Sequence, residues 1–217
     1  GATITPWRPH QLDRQAAYPV EKRHNCILRD SVWETVLHER QCGTQVINWE
    51  QIDTVLLDMD GTLLDLHFDN YFWTEHLPEL YAQANQLGEI PTIEELQAGL
   101  RIEQGTLNWY CVNHWSEQLG MDIPAMKLEL SHMIRLRPFA LEFLKQLKSD
   151  GYEVLMVTNS HRKALEIKMA QVDIGQWFDH MVVSHELDAP KEQQDFWSRL
   201  HQLHPFNPAR TLLIDDT

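Results

Sequence analysis

The chain has 217 residues, 43% of them hydrophobic and 23% charged, enough to bury a core of ordinary size and too apolar for a disordered polypeptide. Its 18 basic and 32 acidic residues leave a formal charge of -14, which repels a phosphate backbone and an anionic bilayer alike, so neither nucleic acid nor membrane is expected as a partner. Cys26, Cys42 and Cys111 are odd in number and lack CxxC spacing, which argues against a disulfide framework or a thiolate zinc site and for a reducing, cytoplasmic setting.

Residues 1 to 48 are polar and proline-containing, with one short helix expected where Ser31 and Glu34 form a capping box; they read as an N-terminal extension of unknown role. The opening "GATITPWRPHQ" shows no charged segment followed by an apolar one, so no export signal is expected. The run "DTVLLDMD" then predicts a strand buried on both faces of a parallel sheet. From 67 to 134 the pattern turns helical, with "NYFWTEHLPELYAQANQL", "TIEELQAGLRIEQ" opened by a Thr92/Glu95 capping box, "NWYCVNHWSEQLG" and "AMKLELSHMIRL". An all-helical insert is expected there, dividing a core made of 49–66 and 135–217.

Beyond the insert, "RPFALEFLKQLKSDG" predicts an amphipathic helix ended by Gly151 and followed by the strand "YEVLMVTN". The helix "RKALEIKMAQ", strand "HMVVS", helix "EQQDFWSRLHQL" and strand "TLLID" complete the alternation. Strands alternating with helices predict an α/β fold, a Rossmann-like parallel sheet with right-handed crossovers.

Ligands of such sheets bind beyond the carboxyl ends of the strands. The polar residues there are Asp58 and Asp60, then Thr158-Asn159-Ser160, then Lys191 after "MVVS", and last Asp215-Asp216. Each has a plain alternative as a turn, a cap or a solvated charge; their joint occurrence at successive strand ends favours chemistry. Carboxylates held together raise each other's pKa unless a cation neutralises them, and Mg²⁺ is the hard cation that bridges carboxylates to a substrate phosphate. Asp58 is then the candidate nucleophile on phosphorus, with Asp60 as the proton donor and acceptor. Thr158 and Asn159, beside the amides that open the next helix, are candidates to bind phosphoryl oxygens. Lys191, placed in the first turn of "KEQQDFWSRL", opposes the helix dipole and is expected to face an anion.

These residues resemble a known family. "DMDGTLLD", "VTNS", Lys191 and "LLIDD" are similar, in order, to motifs one to four of the haloacid dehalogenase-like phosphohydrolases. The resemblance implies a mobile helical cap of the C1 type and Asp58 as nucleophile, Asp60 as acid/base, Thr158 as phosphate-binding hydroxyl and Lys191 as charge stabiliser. It also implies Mg²⁺ held by Asp58, the backbone carbonyl of Asp60 and an acid of motif four, Asp216 in preference to Asp215. From about residue 47 onward, "DMDGTLLDLHFDNYFW", "LNWYCVNHWSEQLGMDI" and "LLIDDT" resemble the bacterial GMP/IMP 5'-nucleotidases, which implies a purine nucleoside monophosphate as substrate. The family continues past motif four through another helix and strand, so the C-terminal part of the core is expected to be missing from a chain ending at Thr217.

In the insert, Tyr71, Trp73, His76, Trp109, Tyr110 and Trp115 either stack on a purine or pack a helical core. Asp69, Asn70 and Asn108 are candidate polar contacts for base or ribose. The histidines, His201 and His204 included, read as surface residues with no third metal partner. Other readings are a phosphatase of another small metabolite such as a sugar phosphate, a phosphomutase using the same residues, or a non-catalytic module; Asp60 argues against a dehalogenase, which has no alkoxide to protonate. Oligomeric state is not legible.

Overall fold

The computed structural model describes residues 47–85 and 89–216. Ser31, Glu34, Cys26, Cys42 and Thr217 lie outside the described residues. The strands β1 (Thr54–Leu57), β2 (Glu153–Thr158), β3 (His180–Val183) and β4 (Thr211–Ile214) form, among the described residues, one parallel sheet in the order β3-β2-β1-β4. The order runs down to β1 and then jumps to β4, which makes the β1/β4 seam the switch point where an open parallel sheet leaves its crevice.

Alternation along the strands feeds two cores. Val55, Leu57, Val154, Met156 and Val183 face one way and pack with α7 (Ala140–Ser149) and α8 (Arg162–Val172). Leu56, Leu155, Val157 and Val182 face the other and pack with Phe196 and Leu200 of α9 (Gln194–Leu203). Because both faces are covered, β1 is buried throughout, which is why it reads as an unbroken apolar run.

Between β1 and β2 the chain is helical: α1 (His67–Tyr71), a π-helical turn Phe72–His76, α2 (Leu77–Asn85), α3 (Glu89–Ile102), α4 (Leu107–Tyr110), α5 (Val112–Leu119) and α6 (Ile123–Glu129). A third core, with Phe72, Leu77, Leu96, Trp115 and Ile123, closes on Ala164 of α8 and so seats the insert on the sheet's helical layer. Local chemistry explains the ends. Gly120 closes α5 at φ 65, and Asp122 caps α6 by accepting from the Ala125 amide at 3.1 Å.

Several boundaries differ from those expected. The helix predicted over 108–120 breaks at Cys111, which is extended (φ -88, ψ 103) so that its sulfur accepts the His114 amide at 3.4 Å and caps α5. α3 starts at Glu89, so Thr92 lies inside the helix rather than at its cap. The segment expected as one helix over 125–136 ends at Glu129, is followed by a 3-10 turn at Ser131–Met133, and reaches Leu136 as a bridge to Leu64. α9 begins at Gln194, three residues beyond Lys191, because the chain first makes a turn in which the Gln193 amide donates to the Pro190 carbonyl at 2.9 Å. The dipole argument for Lys191 therefore fails.

Leu144 is fully buried where α7 meets β2. Truncating it leaves a cavity between sheet and helix, so Leu144→Ala is expected to lower the unfolding free energy by about 2–5 kcal/mol in urea titrations.

Candidate active site

The parallel register pairs Leu57 with Ile214, so the next residue of each strand emerges on the same edge of the sheet, and the Asp58 amide extends the ladder by donating to the Ile214 carbonyl at 3.0 Å. Asp58, Asp215 and Asp216 consequently each place a carboxylate oxygen within 4.8 Å of the other two. Lys191 enters from the loop after β3, where its Nζ donates to Asp58 Oδ1 at 2.6 Å and to Asp215 Oδ2 at 2.7 Å. The loop is itself held. Asn159 Oδ1 accepts from the Lys191 amide at 2.9 Å, and the Trp197 indole of α9 donates to the Lys191 carbonyl at 2.9 Å.

After Asp58 the backbone curls into a turn, with the Leu63 and Leu64 amides both donating to the Met59 carbonyl at 2.9 Å. Gly61 sits in this turn at φ 86, a conformation few side chains tolerate. A Cβ there would fall 1.9 Å from Asp216 Oδ2, so the absence of a side chain is what lets that carboxylate lie against the turn. Arg137 holds the Gly61 carbonyl from the other side.

The electrostatics follow from burial and crowding. Burial pushes Asp58 up to about 7; Lys191 pulls against that shift and Asp215 adds to it. Loss of solvent and the neighbouring Asp215 also raise Asp216. Lys191 is lifted by Asp58 and Asp215 in spite of its burial, so it stays an ammonium. Three acids face one lysine. That imbalance, in an all-oxygen donor set, fits a small hard divalent cation such as Mg²⁺.

Thr158 is buried at the end of β2, and its hydroxyl accepts the Ser160 amide at 3.1 Å. Asn159 spends its amide on Glu192, donating to Oε2 at 3.0 Å and Oε1 at 3.2 Å, and the Tyr110 hydroxyl from the insert donates to the same Glu192 Oε1 at 2.5 Å. Tyr110 thereby reaches, from the insert, the loop that carries Lys191. Asp60, on the turn, bonds not to the Asp58 cluster but to Lys168 of α8 at 2.6 Å.

Of the insert residues singled out by sequence, Asp69 is engaged by Lys127 and Lys168 at 2.7 and 2.6 Å, and Asn70 is exposed. Trp109 is partly buried against the insert core, where its carbonyl accepts the Trp115 indole at 3.1 Å. Trp115 is 2% exposed and belongs to that core. His201 and His204 are half-buried, His201 against the Phe206 carbonyl at 2.9 Å. Sequence reasoning missed Lys168 and Lys127. The signal was present, since Lys168 falls in the stripe Ala164, Leu165, Lys168 of α8 and Lys127 follows Ile123 by one helical turn.

A lysine-clamped acidic cluster at the switch point of a parallel α/β sheet lies where such sheets bind their ligands. The chain belongs to the haloacid dehalogenase-like hydrolase family, whose sequence model matches residues 52–217. It is 40% identical over 171 residues to the GMP/IMP nucleotidase YrfG of Escherichia coli (strain K12), covering 79% of this chain and 77% of that protein. It is 22% identical over 175 residues to the pyrophosphatase PpaX of Bacillus thuringiensis (strain Al Hakam), covering 76% and 75%. Among solved structures, a HAD phosphatase from Thermococcus onnurineus superposes with a TM-score of 0.66 at 15% identity, over 75% of this chain and 76% of that one. No helix among the described residues is long and apolar enough to cross a membrane.

Because the folded chain holds a proton on Asp58 up to about 7 while an ordinary aspartate loses it near 3.8, the metal-free protein loses stability as pH rises between those values. A divalent cation held by Asp58 would take the place of that proton. Millimolar Mg²⁺ is therefore expected to raise the melting temperature by roughly 5 °C at pH 8 and by much less at pH 5. Gly61→Ala, by displacing Asp216, is expected to remove most of the gain. Equal shifts at both pH values would contradict the assignment.

Proposed function

We propose that this chain is a Mg²⁺-dependent phosphoric monoester hydrolase acting on purine nucleoside 5'-monophosphates, with GMP and IMP as the first substrates to test. The observation that carries the reading is the convergence of Asp58, Asp215, Asp216 and Lys191 at one sheet edge, with a second carboxyl, Asp60, on the adjoining turn. The nucleotide preference rests on the similarity to the YrfG nucleotidase.

Asp58 attacks phosphorus while the ester P–O bond breaks, giving an aspartyl-phosphate. Asp60 gives its proton to the departing ribose 5'-oxygen, then takes one from the water that attacks the same phosphorus, and phosphate leaves with Asp58 restored. Lys191 keeps Asp58 oriented and offsets charge on the phosphoryl oxygens. The Thr158 hydroxyl, the Asn159 position and the amides ahead of α8 form the phosphate-binding edge. The carboxylates of Asp58 and Asp216 with the Asp60 carbonyl would hold Mg²⁺, which when bound neutralises the acids and polarises phosphoryl oxygens. In this reading residues 67–134 serve as a cap over a core of 49–66 and 135–217, and Trp109 and Asn70 are the cap residues proposed to meet the nucleoside.

Phosphate release from a panel of 5'-nucleotides and sugar phosphates tests the proposal. Asp58→Asn is expected to abolish turnover with Mg²⁺ present, Asp60→Asn to lower kcat by about 10²–10⁴-fold, and chelation to stop the reaction. Unchanged turnover in Asp58→Asn, or a product that retains the phosphoryl group on a second position, would reject hydrolysis through Asp58.

A further inference from the structure

A second set of buried charges stands behind Asp60, and the chemistry at Asp58 does not use it. Lys168 on α8 is 1% exposed, and its Nζ donates to Asp60 Oδ1 and to Asp69 Oδ2, each at 2.6 Å. Lys127 on α6 is 2% exposed; its Nζ donates to Asp69 Oδ1 at 2.7 Å and lies 4.5 Å from the Phe72 ring centre and 4.8 Å from that of Phe68. Asp60, Lys168, Asp69 and Lys127 thus alternate in sign along one chain of contacts. They come from the turn after β1, from α8, from α1 and from α6, so the chain runs from the catalytic turn into the helical insert.

Stability does not account for such a cluster. Taking four ions out of water costs about as much as their attraction returns, and apolar side chains of the same size commonly do as well. What the arrangement does supply is direction. A carboxyl that transfers a proton must hold one rotamer, and Asp60 keeps 25% of its side-chain surface open while Lys168 grips Oδ1. The ammonium that grips Oδ1 is fixed by Asp69 at 2.6 Å, and Asp69 by Lys127 at 2.7 Å.

We propose that Lys168, anchored by Asp69 and Lys127, is a positioning residue that aims the Asp60 carboxyl at the leaving oxygen, so that the seating of α6 on α8 sets the geometry of proton transfer. The inference rests on the reading of Asp60 as the proton-transferring acid. Lys168 engages Oδ1, so the proton passes from Oδ2 to the ester oxygen as the P–O bond breaks, and none of the four groups is consumed.

The test compares a substrate whose leaving alkoxide needs a proton, GMP, with 4-nitrophenyl phosphate, whose leaving group departs without one. In Lys168→Met, kcat for GMP is expected to fall by about 100-fold and kcat for 4-nitrophenyl phosphate by less than about tenfold, with KM for both nearly unchanged. Asp69→Asn and Lys127→Met should show the same split to a smaller degree, and Lys168→Arg should restore part of it. Thermal unfolding identifies the folded variants, and Asp69→Asn carries the comparison if Lys168→Met does not fold. Equal slowing of both substrates, or no slowing, overturns the positioning role. Asp60→Asn separates this from the parent reading: a split there without one in Lys168→Met overturns the present inference alone, whereas a parent chain inert toward every phosphomonoester overturns both.

Discussion

Like charges cannot be gathered at the end of a buried strand unless something of opposite sign is brought to them. Here the parallel pairing of β1 with β4 makes the gathering unavoidable, because matching Leu57 to Ile214 delivers Asp58 and Asp215 side by side. The rest of that edge of the sheet answers to the constraint. Lys191 is carried in from the loop after β3, and Asn159 and Trp197 fasten that loop so the ammonium meets both acids. Gly61 gives Asp216 room to complete a donor set that one lysine does not balance.

The two aspartates of the DMD triplet, two residues apart, end in different electrostatic surroundings. Asp58 faces Lys191 and the β4 acids, whereas Asp60 faces Lys168 and the insert. Burial raises both carboxyls, but the charge balance around them differs: Asp58 shares one ammonium, Lys191, with Asp215 and lies beside Asp216, whereas Asp60 shares Lys168 with an Asp69 that Lys127 also holds. A single turn can in this way hold one carboxylate suited to bonding with phosphorus and another suited to exchanging a proton.

Much of the fold was readable because the strands are buried on both sides and therefore uninterrupted in hydrophobicity, as in "TVLL" and "EVLMVT". The candidate residues Asp58, Thr158 and Asp215 were placed for a related reason, since they end those runs or follow directly on them. Helix boundaries were less so. Nothing in "NWYCVNHW" announces that the Cys111 sulfur will take an amide and split the helix, and the turn before α9 removed Lys191 from the first helical turn in which it was expected. The contacts of Asp69 were hidden by distance along the chain: its partners lie 58 and 99 residues away, so it read as a polar group free to meet a ligand.

Lys127 also bears on whether the insert of this chain is a separable part. The insert is joined to the sheet through two crossings, which invites the view that it can be swapped as a module. Its α6, however, carries the outermost charge of a four-member row that ends on the turn after β1. A chimera receiving foreign helices in place of residues 67–134 would lose Asp69 and Lys127 together and strand the ammonium of Lys168 against Asp60 alone. Replacing the insert of this chain without leaving a buried charge unpaired therefore means changing the lysine on α8 together with the pair.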